Sequence, residues 1–266
     1  MHPKTTIDYN AYDTYFIDLV GVIYDGVTFY PKALHAIEAL QQKGKELVFV
    51  SNNPRPSSLS EKNLLRHGIK KPFKIVTSGD YTRHLIQTDY KNSKIFQFGA
   101  EKNKDLLYGL NCQVVDSVKK CDVVLLSYFI DEQDSKEDLN PLLDEIAASQ
   151  KKVLCANPDI YALHGKTIRK CSGYFAALLK KRGAKVTYLG KPEKSFYEFV
   201  VNTAVKETFD LKKTLMIGDT IETDILGAKN FGIDSLLVNT GITALKGSTL
   251  DIQPTLQMPC FELVES

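Results

Sequence analysis

The chain has 266 residues, of which 43% are hydrophobic and 25% charged, with a formal net charge of +2. That length can bury one large core or a core with a smaller lobe, and 34 basic against 32 acidic side chains supply no basic stripe, which argues against nucleic acid as a partner. The first ten residues lack the apolar run of a signal peptide, and the longest apolar stretch, residues 123–130, is far short of the ~20 residues of a membrane span, so no membrane association is expected. Five cysteines at irregular spacing, none in a Cys-x-x-Cys pair, read as reduced thiols of a cytoplasmic protein.

Along the chain, apolar strand-like runs alternate with amphipathic stretches. Residues 15–20 read as strand, and 31–43 as a helix with Pro31 at its first position and Gly44 just past its end. A strand follows over 46–50. Ser58-Leu59-Ser60-Glu61 has the capping-box pattern that would start a helix over 59–66. Residues 74–76 are predicted as strand and 81–87 as helix. The middle has strands at 93–98, 122–126 and 152–156, with helices at 101–107, 136–149 and 173–181. The late part returns to helix at 195–208, strand at 214–217, helix at 223–230 ending near Gly232, and strand at 235–238. Strands separated by helices in this way imply right-handed βαβ units and a parallel sheet. The expected fold is therefore α/β. Residues 1–79 and 188–266 form a Rossmann-like, doubly wound core, and 80–187 form an inserted α/β cap domain.

Four short segments stand out. Asp18-Leu19-Val20-Gly21 ends the first strand, and an aspartate there, turning out through glycine, is placed to act on a ligand outside the sheet. Ser51-Asn52-Asn53 follows the second strand, and Gly218-Asp219 follows a late one, with Asp224 five residues on. Gly190-Lys191-Pro192 precedes a helix that Pro192 would open. Each segment alone is an ordinary turn or cap. Four in one order, three of them after apolar strands, point to one site.

The order and spacing of these segments resemble the haloacid dehalogenase-like superfamily of aspartate-nucleophile hydrolases. Further features resemble its class IIA branch of p-nitrophenylphosphatase-like and sugar- or nucleotide-phosphate phosphatases. These are Gly26, Ser51-Asn52-Asn53-Pro54-Arg55, Thr77-Ser78-Gly79, Asn157-Pro158-Asp159 and Gly190-Lys191-Pro192-Glu193. By this resemblance Asp18 would be nucleophile and metal ligand, with Val20 ligating through its carbonyl, Asp219 as the third protein ligand and Asp224 as a partner in the metal shell. Ser51, Asn52, Asn53 and Lys191 would hold the phosphate, and Asn157 and Asp159 would lie at the seam between cap and core. The implied cofactor is Mg²⁺, which cancels the repulsion between an attacking carboxylate and a phosphate dianion. The implied ligand is a small phosphorylated metabolite, and a homodimer would use exposed apolar cap surface.

The chain departs from the pattern at Val20, where these phosphatases carry a second aspartate as general acid/base, and in its Cys171-Ser172-Gly173 stretch. The loss of a side-chain acid weighs most on poor leaving groups. A Mg²⁺-dependent phosphatase with weakened acid/base assistance is therefore one reading, and a degenerate protein that binds a phosphometabolite without turnover is another. A third reading keeps the nucleophile but breaks a carbon–halogen or carbon–phosphorus bond. Asp219 with Asp224 counts against the first of these, and no lysine context marks a Schiff base for the second.

Overall fold

The computed structural model describes residues 7–131 and 138–263. Its first strands are β1 (Thr14–Ile17), β2 (Glu46–Ser51) and β3 (Lys74–Thr77). They alternate with helices α1 (Pro31–Gln42), α2 (Ser57–Arg66) and α3 (Ser78–Thr88). Next come β4 (Lys94–Gly99), a 3₁₀ segment Glu101–Leu107, β5 (Gln113–Val115), β6 (Val123–Ser127) and β7 (Ile130–Asp131). Helix α4 (Asn140–Ala148), β8 (Lys152–Cys155), β9 (Tyr161–His164), β10 (Thr167–Lys170), α5 (Ser172–Lys181) and β11 (Val186–Tyr188) complete the middle. The chain ends with α6 (Lys194–Ala204), β12 (Thr214–Gly218), α7 (Leu226–Phe231), β13 (Asp234–Val238), α8 (Ile242–Lys246) and β14 (Leu256–Met258).

One six-stranded parallel sheet, ordered β14-β13-β12-β1-β2-β3, draws its strands from the two ends of the chain. Side chains alternate across it with a period of two residues. Tyr15, Ile17, Leu47, Phe49, Leu215 and Ile217 enter one core with α1. Phe16, Val48, Val50 and Met216 enter the opposite core with α3 and α6. Burial of both faces is why these strands read as continuous apolar runs. A second parallel sheet, ordered β11-β8-β6-β4-β5, comes from the middle of the chain. One of its faces packs on α4 and α5. The other, through Ile95, Val123, Leu125 and Leu154, shares a core with α3 and α6. The antiparallel strands β7-β10-β9 were not expected from the sequence, although Gly165, at φ +61° between two short runs, is a hairpin signal.

Several local expectations are corrected. Helix α2 begins at Ser57 behind Pro56, so Ser58 lies inside it and makes no cap. The capping box sits instead at Thr77 and Asp80, whose side chains accept each other's backbone N–H groups, and Asp80 Oδ1 also accepts the Ser57 N–H at 3.0 Å. Residues 101–107 wind as a 3₁₀ helix, and α6 stops at Ala204 because Val205 is extended. Pro192 does not open α6, which starts at Lys194 after an extended Glu193. The helix expected over 136–149 is observed from Asn140, and its residues 136 and 137 lie outside the described residues.

Candidate active site

The site stands at the carboxyl ends of the central strands, where a parallel sheet directs its ligands. Asp18 follows β1, and its N–H continues the ladder to Ile217 O at 2.9 Å. Gly21 then turns the chain at φ +94°, a conformation costly for any residue with a Cβ, and its missing Cβ leaves room for the Asp219 carboxylate. Asp219, at the end of β12, is held by the Ile242 N–H, 2.6 Å from its Oδ2. Asp224 Oδ2 accepts the N–H groups of Asp219 and Thr220, both at 3.1 Å. That pull accompanies a π-helical turn over Ile221–Ile225 where a regular helix from residue 223 was expected. Gly218 allows the approach, because a Cβ there would collide with the Asp224 side chain.

Lys191 is the hub. Its ammonium donates to Asp18 Oδ1 at 2.6 Å, Asp224 Oδ1 at 2.7 Å and the Val50 carbonyl at 3.0 Å. Protein oxygens therefore take all three of its N–H groups. An ammonium ahead of a helix start calls for carboxylate company, and the structure supplies it in Asp18 and Asp224. Asn52 differs from expectation. Its Oδ1 accepts the Lys191 N–H at 2.8 Å, while its Nδ2 donates to Asp159 Oδ1 at 2.8 Å and to Lys191 O at 3.1 Å. The carboxamide of Asn52 thus ties the Lys191 loop to the middle of the chain instead of facing the cavity. Gly190 permits this contact, since a Cβ would strike Asn52 Oδ1.

Ser51 and Asn53 do line the cavity, and Ser51 Oγ accepts the Asn53 N–H at 3.2 Å, leaving its own proton to donate. Asn157 and Asp159 line it too. Asn157 Oδ1 accepts the Asp159 N–H at 3.0 Å and so orients Asp159 toward Asn52.

Three carboxylates, Asp18, Asp219 and Asp224, offer oxygen atoms that all lie within 4.8 Å of one another, and all three residues are buried. Burial pushes Asp18 up to about 7; Lys191 opposes this, while the charges of Asp224 and Asp159 add to it. Asp219 is raised well above the usual carboxylate range by burial, Asp224 and Asp18. Burial would lower Lys191, but Asp18, Asp224 and Asp159 outweigh it and hold the ammonium charged. A single ammonium cannot balance so many crowded anions. A hard divalent cation can, and an all-oxygen donor set fits one. The Val20 carbonyl is available as a further oxygen, since among the described residues no hydrogen bond ends on it.

Removing the ammonium should be costly. Lys191→Met would leave Asp18 and Asp224 buried without their shared partner, and the expected loss of unfolding free energy is about 3–5 kcal/mol by urea denaturation. A loss below about 1 kcal/mol would show that water already shields the pair.

The cavity measures about 260 Å³, and Val20 stands on its wall in half-buried surroundings. Its far side was not anticipated from the sequence. Tyr128, Phe129, Tyr161, His164 and Arg169 come from the β7-β10-β9 region and complete the enclosure. The hairpin docks on the loop after Asp18, where the Gly165 N–H donates to Asp25 O at 2.9 Å. Gly26 is required there, because a Cβ would meet the Leu163 carbonyl. Arg169 is committed to Asp131, with Nε 2.5 Å from Oδ1, and lies over the Phe129 ring.

Comparison with known proteins agrees with this geometry. A family model described as haloacid dehalogenase-like hydrolase matches residues 15–113, and a HAD-hydrolase-like model matches residues 188–259. An acid sugar phosphatase of Staphylococcus epidermidis is 25% identical over 250 residues, covering 92% of this chain and 93% of the relative. A haloacid dehalogenase-like hydrolase from Brucella suis superposes with a TM-score of 0.85 at 28% identity, covering 98% of this chain and 99% of the other. A thermostable NPPase double mutant from Geobacillus stearothermophilus gives 0.72 at 26% identity, with coverage of 94% and 96%. An aspartate on the first strand tip, two more carboxylates beside it and matches at both ends of the chain lead to one conclusion: this chain is a hydrolase of the haloacid dehalogenase-like superfamily, in its class IIA branch.

Proposed function

We propose that the chain is a Mg²⁺-dependent phosphatase of a small phosphorylated metabolite, with Asp18 as nucleophile and with weakened acid/base assistance. The observation that carries this reading is the convergence of Asp18, Asp219 and Asp224 around the Lys191 ammonium in one enclosed cavity. The phosphatase names of its relatives support it.

Asp18 would attack phosphorus as the ester bond breaks, forming an aspartyl-phosphate that water then hydrolyses. Asp18, Asp219, Asp224 and the Val20 carbonyl would hold the metal, directly or through water. When bound, Mg²⁺ supplies the positive charge that lets a carboxylate approach a phosphate dianion. Lys191 orients Asp18 for attack and favours its ionised form against the effect of burial. Ser51 donates to a phosphate oxygen, and Asn53 with nearby backbone N–H groups completes that face. Asn52 serves as a brace, holding the Lys191 loop against Asp159. Residues 80–187 act as the cap that closes the cavity over the core formed by 1–79 and 188–266.

The test is hydrolysis of p-nitrophenyl phosphate across a Mg²⁺ titration. EDTA should abolish turnover and Mg²⁺ restore it, while Asp219→Asn should raise the half-saturating Mg²⁺ concentration by at least about 10–100-fold. Turnover indifferent to EDTA would refute the metal assignment. One observation favours a second reading, a binding protein without turnover: a valine stands where an acid is needed. Mg²⁺-dependent phosphate-ester binding without product would select it.

A further inference from the structure

Valine has no proton to offer, yet a departing ester oxygen gains negative charge as its bond to phosphorus breaks. Most polar groups on the cavity wall are already committed. Asp159 is bonded to Asn52, Arg169 to Asp131, and Lys191 to Asp18 and Asp224. Tyr24 differs from these. It lies in the same loop as Val20, and the Gly21 N–H donates to Tyr24 O at 2.7 Å while Val20 and Tyr24 form a backbone bridge. The position of Tyr24 is thereby tied to residue 20. Its ring is stacked on Phe29 with centroids 4.9 Å apart, and Phe29 is stacked in turn on His67 at 4.1 Å. Tyr24 lines the cavity that holds Asp18, and among the described residues its hydroxyl makes no hydrogen bond.

We infer that the Tyr24 hydroxyl hydrogen-bonds the departing ester oxygen and so replaces the missing carboxylic acid in part. The inference rests on the phosphatase reading and adds a catalytic residue to it. Burial and the charge of Asp18 both hold the phenol in its protonated form, so it remains a donor at neutral pH. As an Asp18 oxygen bonds phosphorus, the ester P–O bond breaks and its electron pair stays with the leaving oxygen. Tyr24 donates a hydrogen bond to that oxygen without surrendering its proton, and water protonates the released alkoxide or phenoxide. A hydrogen bond stabilises the charge less than a full proton transfer does, so selection of good leaving groups is retained.

The experiment compares Tyr24→Phe with the native protein on p-nitrophenyl phosphate, phenyl phosphate and glycerol phosphate, in the native and Val20→Asp backgrounds. Phenylalanine keeps the stack on Phe29, and a thermal melt confirms folding. The expected result is a fall in kcat/KM of about 10–100-fold on glycerol phosphate, the scale of one donor to a developing oxyanion. The fall should be at least about threefold smaller on p-nitrophenyl phosphate, and at least about threefold smaller on every ester in the Val20→Asp background, where a carboxylic acid takes over the role. An equal fall on all three esters, no fall, or the same fall in the Val20→Asp background overturns the inference while leaving the phosphatase reading intact. Native protein that hydrolyses none of the three overturns both.

Discussion

Asp18→Asn should reduce hydrolysis of p-nitrophenyl phosphate by at least about 10⁴-fold, because an amide cannot form the aspartyl-phosphate. The same variant should fold. Asparagine keeps the shape of the side chain and an oxygen to accept the Lys191 hydrogen bond, while Lys191 retains Asp224 and the Val50 carbonyl. It also removes one of three crowded buried carboxyl groups, whose ionised form burial penalises. Thermal melts in EDTA should therefore show a melting temperature equal to or above that of the native protein, the trade of stability for function common at active sites. Retained activity would rule out Asp18 as nucleophile. A lower melting temperature would show that the Asp18 carboxylate contributes more to Lys191 than its own burial costs.

The second large effect is a gain. Val20→Asp should raise kcat/KM on glycerol phosphate by about 10²–10³-fold, within the range that general acid assistance supplies. On p-nitrophenyl phosphate the gain should stay below about tenfold, because a good leaving oxygen departs without a proton. Val20 lines the cavity and is half-buried, so a carboxylate there gains access to water and substrate without being forced into the core. Equal gains on both esters would show that leaving-group protonation is not what limits the native protein. No gain on either would favour the reading as a binding protein.

Much of this molecule is legible from side-chain chemistry along the chain. The runs around Phe16, Val48 and Met216 are apolar on successive residues because parallel strands are buried on both faces, and a doubly wound sheet follows from that pattern alone. Asp18 and Asp219 are recognisable because each follows such a strand directly, and strand order in a parallel sheet brings those tips together. Spacing from Gly218 places Asp224 within reach of Lys191, and the structure joins them at 2.7 Å.

Other features depended on contacts between residues distant in the chain. The capping box at Thr77 and Asp80 prevailed over the one at Ser58 and Glu61 because Pro56 and the Asp80 carboxylate together set where α2 begins. The Asn52 side chain is turned from the cavity because Lys191, 139 positions away, supplies partners for both ends of its carboxamide, a match that no local pattern encodes. The far wall of the cavity was hidden for the same reason. Tyr161, His164 and Arg169 reach the site only because Gly26 and Gly165 let a hairpin from the middle of the chain dock on the first loop. Sequence alone determined the family, the sheet and the carboxylates at its strand tips, since burial and strand order act through local patterns. Tertiary structure alone decided which polar groups are already satisfied and which, like the Tyr24 hydroxyl, make no hydrogen bond among the described residues, because hydrogen-bond partners are chosen by proximity in space.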